Sequence, residues 1–210
     1  MATFDRKILL ASRSPRRREL LRQIGVGHEF LLLRDDQQRG VDVDESPRPN
    51  ELPRDYVLRV AMAKASAGLQ SIARRAGGMV RPVLAADTTV ALDNGNDAII
   101  GKPRDTADAR RILHALSGRS HTVITAVAVA FADRLESRVS ESTVTMHALN
   151  DAQIEHYLAC GESMDKAGAY AIQGRAAAFI TRIEGSYSGI MGLPLAETVE
   201  LLAEFDIQPA

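Results

Sequence analysis

Four arginines crowd a short segment near the N-terminus of the chain. The segment reads SRSPRRREL over residues 12–20, directly after the apolar run LLA. Pro15 suits the first position of a helix and Ser14 is a good N-cap, so we predict that a helix begins here. Free N–H groups and the positive end of the helix dipole bind phosphate oxygens, and arginine adds charge and paired hydrogen bonds. The segment predicts an anion site, although a solvated basic helix face has the same composition.

Acidic side chains that could do chemistry lie in two places. Asp87 follows the apolar run VLAA, so we predict its carboxylate at the end of a buried strand, where open α/β sheets gather ligands. A carboxylate there can act as a general base or bind a metal; a helix cap or a turn is the alternative. Asp44 and Glu45 lie in a polar segment, residues 34–54, that holds three prolines. We predict a loop or a lid, whose carboxylates either join the site or are only solvated.

Lysines and an amide supply further candidates. Lys102 stands in GKP just after an expected strand, where it can act as a point charge for phosphate. Lys64 lies on an expected helix among alanines, where a surface residue is the simpler reading. Asp165 and Lys166 open a glycine-containing segment that also holds Gln173, whose amide can donate and accept at the edge of a base. A surface ion pair and a surface glutamine are the alternatives.

Several common catalytic motifs are absent from the sequence. It has no G-x-x-x-x-G-K-[ST], no G-x-G-x-x-G and no G-x-S-x-G, and its five histidines lack zinc-site spacing. What remains is a set of arginines, lysines and carboxylates. Such a set suits a phosphorylated ligand, with a hard divalent cation held by carboxylates and ligand phosphates.

Composition limits the class of protein further. The 210 residues, 45% hydrophobic, fit a single domain over residues 1–210, with two lobes and no clean boundary between them. A net charge of -1 gives no broad attraction for nucleic acid. With one cysteine, Cys160, and no long apolar stretch, we expect a cytoplasmic protein without a membrane segment.

Helices and strands alternate along the chain, which predicts an α/β fold with one mixed sheet. A hairpin is expected around the turn at residues 93–97, and residues 74–79 are expected to form a flexible connection. Predicted strands cover residues 7–11, 83–86, 122–131, 137–149 and 178–183. Predicted helices cover residues 15–24 (ended by Gly25), 55 onward, 106–117 (capped by Thr106), 150–158 (with an Asn150–Gln153 capping box) and 195–205.

Six short motifs occur in order along almost the whole chain. They are LAS with SPRR (residues 10–17), ADT (86–88), GKP (101–103), LSG with a following histidine (116–121), DKAG with IQG (165–174) and GLP (192–194). Together they resemble the Maf family of nucleoside triphosphate pyrophosphatases. The resemblance implies an elongated mixed β-sheet with flanking helices and two lobes around a central cleft, similar to inosine triphosphate pyrophosphatase, in a homodimer. It also implies cleavage between the α and β phosphates, which releases a monophosphate and pyrophosphate.

The resemblance implies the general base and the specificity residues, and the charges of the other candidates suggest which residues hold the metal and the phosphates. Asp87 is the expected general base, and we expect Asp87 and Glu45 to hold Mg²⁺ or Mn²⁺. Arg16, Thr88 and Gln173 match the branch that prefers dTTP and UTP, whereas the 7-methyl-GTP branch has tryptophan, glutamine and glutamate at these positions. The residues expected to bind phosphates are Ser12, Arg13, Arg17, Lys64, Lys102 and Lys166.

The chain departs from the family pattern at two points, and two other functions stay open. Ser163 stands where proline is common, which affects only the expected rigidity of that loop, and the turn at residues 93–97 is longer than usual. One alternative is a regulator of cell division that binds a nucleotide without hydrolysing it. The other is a purine-directed house-cleaning pyrophosphatase that cleaves the same bond.

Overall fold

The computed structural model describes residues 7–36, 40–74, 81–92 and 98–209. Its strands are β1 (Ile8–Leu10), β2 (His28–Phe30), β3 (Asp35–Asp36), β4 (Gly40–Val41), β5 (Val83–Leu92), β6 (Ala98–Ile100), β7 (Ser120–Phe131), β8 (Arg134–Met146) and β9 (Ile180–Glu184). Its α-helices are α1 (Pro15–Gln23), α2 (Pro53–Ala73), α3 (Thr106–Leu116), α4 (Asp151–Ala159), α5 (Tyr187–Met191) and α6 (Leu195–Ala203). Two 3₁₀ turns cover Ala167–Ala169 and Arg175–Phe179.

One mixed sheet runs through the molecule, as the alternation of helices and strands predicted. Its strand order is β2-β1-β5-β7-β8-β9, and β6 pairs with part of β5. β1 is parallel to β2 and β5, whereas the pairs β5–β6, β5–β7, β7–β8 and β8–β9 are antiparallel. β3 and β4 form a separate small sheet within the segment that was expected to be a loop.

The two faces of the sheet are covered differently. On one face a single long helix, α2, packs against alternate residues of β1, β5 and β7. On the other face α1 and α6 cover one end of the sheet and α3 and α4 cover the other, so two separate apolar cores form there. The division into two lobes stays a prediction, since both cores lie against the same sheet.

Local sequence signals were confirmed at several element ends. Asn150 and Gln153 form a reciprocal capping box at the start of α4. Gly25, at φ +70°, follows the last turn of α1, where a left-handed conformation favours glycine. The hairpin of β5 and β6 is present, but its turn at 93–97 and most of the expected connection at 74–79 lie outside the described residues.

Two expectations were wrong, and a third was confirmed in position only. Asp87 does not lie at the end of a strand, because the β5–β7 ladder continues past its pairing with Ala126 as far as Ala91. Asp105, not Thr106, caps α3, and its side chain accepts a hydrogen bond from the N–H of Asp108. Ser14 occupies the N-cap of α1, but its side chain makes no capping hydrogen bond.

Candidate active site

The site begins at a gap in one edge of β5. β7 pairs with β5 from Val83 to Ala91 along one edge, so β1 and β6 share the opposite edge. β1 pairs there only as far as Leu84, and β6 pairs only from Val90 onward. Residues 85–89 therefore have no strand beside them on that edge in the described part of the chain. A cleft of about 390 Å³ lies at this gap.

Neighbouring side chains of β5 enter the cleft from opposite faces of the sheet. Asp87 points toward α2, whereas Thr88 points toward the face of the two separate cores, because side chains alternate along a strand. The cleft consequently has a charged half on the Asp87 side and a largely apolar half on the Thr88 side. It is lined by all residues predicted for the site: Ser12, Arg13, Arg16, Arg17, Glu45, Lys64, Asp87, Thr88, Lys102, Lys166 and Gln173.

The charged half is organised by Lys64, which projects from α2. Its Nζ lies 2.8 Å from Asp87 Oδ1 and 2.7 Å from Glu45 Oε2. Asp87 is only 7% exposed and the Lys64 side chain 12% exposed, so both charges are held away from bulk water. Lys64 is therefore a largely buried cation shared by two carboxylates. The simpler expectation of a surface lysine is wrong.

Glu45 is held over the site by residues that sequence analysis missed. Tyr56, on α2, donates its hydroxyl proton to the carbonyl of Glu45 at 2.9 Å. Arg59, also on α2, donates to the carbonyls of residues 44 and 46 and binds the Glu51 carboxylate at 2.6 and 2.8 Å. The hydrogen bonds from Arg59 lower the pKa of Glu51 to about 2. Helical spacing could have indicated Tyr56, because it lies about two turns before Lys64 on the same side of α2.

The carboxylates of this cluster fit a hard divalent cation. Asp87 and Glu45 each give one oxygen to Lys64, and the second oxygen of each accepts no hydrogen bond from the residues that the structure describes. No group of three or more histidine, cysteine, aspartate or glutamate side chains forms a metal cage in the described ranges. Mg²⁺ is commonly held by one or two carboxylates together with substrate phosphates. Asp44 does not join them, since its carboxylate accepts the N–H of Ser46 instead.

Arg17 forms the floor of the cleft and connects three segments of the chain. Its Nε donates to the carbonyl of Gly192 at 2.7 Å, Nη1 to Ser12 Oγ at 3.4 Å and Nη2 to Thr88 Oγ1 at 3.2 Å. Burial lowers the pKa of Arg17, while the nearby charge of Asp87 opposes this shift. One N–H on each terminal nitrogen remains for a ligand. Gly192 is at φ +112°, a conformation that favours glycine beside the guanidinium.

The mouth of the cleft is basic and is crossed by an ion pair. Arg16, on α1, lies 3.5 Å from Asp165, which also pairs with Lys166. This contact joins the α1 side of the cleft to the segment that precedes the first 3₁₀ turn. Arg13 donates to the carbonyl of Leu33 at 3.2 Å, and Lys102 is exposed at the rim. The mouth thus presents several cations around one carboxylate.

The apolar half is formed by side chains from β5, β7, α5 and the segment between the 3₁₀ turns. They are Val90, Val123, Tyr170, Ile172 and Ile190. Gln173 lies exposed at the rim of this half. Behind the apolar half, the buried His121 is hydrogen-bonded through Nε2 to the Tyr170 hydroxyl at 2.8 Å. Burial lowers the pKa of His121 to about 4. A planar ring with a polar edge fits such a space.

Thr125 is a further residue that sequence analysis missed. It is 1% exposed and lies on β7 directly opposite Thr88. Its signal was a lone polar residue inside the apolar run VITAVAVAF.

Comparison with known proteins identifies the family. The model of the family described as Maf-like protein matches residues 7–205 of the chain. A dTTP/UTP pyrophosphatase of Nitrosomonas europaea is 52% identical over 200 residues, which cover 95% of each chain. Another, from Aromatoleum aromaticum, is 54% identical over 206 residues, which cover 98% of each chain.

A solved structure, the Staphylococcus aureus Ham1 protein, aligns with 95% of this chain and 97% of its own at 14% identity. Its TM-score of 0.48 is too low to support an assignment. The family match, in contrast, extends over nearly all of the chain and both curated relatives share about half of its residues. The chain belongs to the Maf family, as the six ordered motifs predicted.

Proposed function

We propose that this protein is a nucleoside triphosphate pyrophosphatase that hydrolyses dTTP and UTP between the α and β phosphates. The products are the nucleoside monophosphate and pyrophosphate. The observation that carries the proposal is the division of one cleft into a half with two carboxylates on a buried lysine and an apolar half with polar groups at its edge. The relatives named dTTP/UTP pyrophosphatase support the same activity.

The charged half receives the reacting phosphates. Asp87 orients and deprotonates the attacking water, and Lys64 keeps its carboxylate in place through the 2.8 Å contact. Asp87 and Glu45 would hold Mg²⁺ or Mn²⁺, which would supply charge neutralisation for the phosphate oxygens. Tyr56 and Arg59 hold Glu45 in position, because they donate hydrogen bonds to the backbone carbonyls of residues 44–46.

The basic mouth stabilises the leaving group. Pyrophosphate carries more negative charge as the bond to the α phosphate breaks, and cations already in place lower the free energy of that state. Arg13, Lys102 and Lys166 lie at the rim for this role. Ser12 accepts a hydrogen bond from Arg17 at the floor of the cleft. The remaining N–H groups of the Arg17 guanidinium can donate to the phosphates.

The apolar half receives the base. Its walls cover the faces of a planar ring, while Thr88 and Gln173 reach the polar edge and Arg16 lies at the mouth. A site that pairs the polar atoms of one base penalises a base that leaves those atoms unpaired. These residues are therefore expected to select a pyrimidine.

Pyrophosphate release from the purified protein tests the proposal. We expect release from dTTP and UTP with Mg²⁺ or Mn²⁺, and a loss of about 10² to 10⁴ in rate for Asp87→Asn, the range found when a well-placed general base is removed. Asp133→Asn is the matched control, because Asp133 is an exposed residue between β7 and β8. Full turnover by Asp87→Asn under metal saturation would remove the assigned role of Asp87.

The same assay separates the alternative functions. Release from purine nucleotides alone would favour the purine-directed pyrophosphatase, and no release from any nucleotide would favour a regulator that only binds. A homodimer, a cytoplasmic location and the lack of a nucleic-acid partner remain predictions. No helix in the described ranges has the length and apolar character needed to cross a bilayer.

A further inference from the structure

Three groups form a hydrogen-bond chain beneath the apolar half of the cleft. Thr88 Oγ1 lies 2.9 Å from Thr125 Oγ1, and Thr125 Oγ1 lies 2.8 Å from the carbonyl oxygen of Gly189. The two threonines are directly opposite each other on β5 and β7, which fixes their side chains on the same face. Thr125 is buried, so water does not offer it another partner.

The carbonyl at the end of this chain sets the direction of every proton in it. Gly189 O can only accept, so the single hydroxyl proton of Thr125 is donated to it. Thr125 then has only lone pairs to offer Thr88, and the proton of Thr88 must point at Thr125. Arg17 Nη2 donates to Thr88 from the other side at 3.2 Å. The Thr88 hydroxyl therefore has no proton for a ligand and one lone pair left.

Thr88 lies on the side of the cleft that suits a base. Val90 lies two residues after Thr88 on β5, and Val123 lies two residues before Thr125 on β7. Residues two apart on a strand point to the same face, so these valines share the face of the two threonines. Both valines line the apolar half, together with Ile190 next to Gly189. The charged cluster of Asp87 enters from the opposite face.

We propose that Thr125 is a specificity-determining positioning residue that makes Thr88 an acceptor only, so that the site selects a pyrimidine with a ring N–H. Uracil and thymine carry a proton on N3, whereas N3 of cytosine carries a lone pair. An acceptor-only hydroxyl bonds the first two and faces cytosine with lone pair against lone pair. The inference rests on the proposed function and names the atom that excludes CTP.

The magnitude follows from the cost of leaving buried polar groups without partners. Sites built around a hydrogen bond reject an analogue that lacks it by about 10⁴- to 10⁵-fold. Here only one of several contacts is lost and the rim is open to water, so we expect discrimination of about tenfold to a hundredfold from Thr88.

The test is the ratio of kcat/KM for UTP to that for CTP in Thr125→Val and Thr125→Ser. Valine keeps the shape but removes the hydroxyl, so the Thr88 proton is freed to turn toward the ligand, and we expect the ratio to fall about tenfold or more. Serine restores the hydroxyl and should restore the ratio. A merely structural role would lower kcat/KM for UTP and CTP together, because a less well-positioned Arg17 would affect every substrate. An unchanged ratio in Thr125→Val would overturn the proposal.

Modified substrates on the unaltered protein test the same idea without a folding risk. 3-Methyl-UTP lacks the N3 proton, whereas 5-methyl-UTP keeps it and is the matched control. We expect 5-methyl-UTP to be hydrolysed like UTP and 3-methyl-UTP to be at least about tenfold poorer. Equal turnover of the two would also overturn the proposal. Failure to hydrolyse UTP and dTTP at all would instead refute the proposed function.

Discussion

Removing the two carboxylates on Lys64 separately and together should reveal a strongly non-additive loss of stability. Lys64 Nζ contacts Asp87 at 2.8 Å and Glu45 at 2.7 Å, and the Lys64 side chain is only 12% exposed. Asp87→Asn leaves Glu45 as a counter-ion, and Glu45→Gln leaves Asp87. The double variant leaves a buried ammonium with no carboxylate contact.

The burial of each partner sets the size of these effects. The side chain of Glu45 is 50% exposed, so solvent screens its pair and Glu45→Gln should cost about 0.5 kcal/mol of unfolding free energy. The side chain of Asp87 is 10% exposed, and with Glu45 still present Asp87→Asn should cost about 1 to 2 kcal/mol. Leaving one charge of a buried pair alone costs about 3 to 5 kcal/mol, which is the expected loss in the double variant.

Urea unfolding of all four proteins at neutral pH measures these free energies. The single losses add to about 1.5 to 2.5 kcal/mol, so the double loss implies a coupling centred on about 2 kcal/mol, beyond the roughly 0.3 to 0.5 kcal/mol by which independent sites deviate from additivity. Adding Lys64→Met to the double variant should recover much of the loss, because it removes the stranded charge. Additive losses without recovery by methionine would refute the shared-counter-ion reasoning.

Two further measurements of stability test other parts of the fold. Burial lowers the pKa of His121 from 6.5 to about 4, so the unfolded chain binds the proton first as pH falls and the folded state loses stability between these values. We expect a loss of about 2 kcal/mol from this group between pH 7.5 and 5, which urea titrations should find in the original protein and not in His121→Gln; equal pH dependence would show that His121 is not the group. Asn150→Ala removes the capping box of α4 and should lower the unfolding free energy by about 1 kcal/mol, whereas Asn150→Asp should retain most of it. A urea midpoint unchanged in Asn150→Ala would mean that the cap contributes nothing.

The features that were predictable from sequence are those set by neighbouring residues. The capping box of Asn150 and Gln153 depends on a spacing of three residues and was found as expected. The hairpin of β5 and β6 was likewise indicated by its turn sequence. The grouping of most candidate residues around one cleft was also predictable, because all of them except Glu45 and Lys64 stand in the family motifs.

The features that were not predictable depend on contacts between distant parts of the chain. Asp87 looked like the end of a strand because an acid interrupts an apolar run, but pairing with β7 carries β5 onward. Lys64 looked like a surface residue because helical position alone does not reveal which carboxylates fold over it. Arg17 finds its shortest contact at Gly192, 175 residues away. Such partners are set by tertiary packing, which the order of residue types along the chain does not reveal.

The gap in the edge of β5 also bears on the risk of aggregation. An unpaired sheet edge is a template for the strand of another molecule, and long, exposed edges promote aggregation. Here the open stretch covers only residues 85–89, with β1 below it and β6 above it. A foreign strand would collide with both neighbours before it could form a long ladder. The short length of this open stretch therefore limits its pairing with another polypeptide chain.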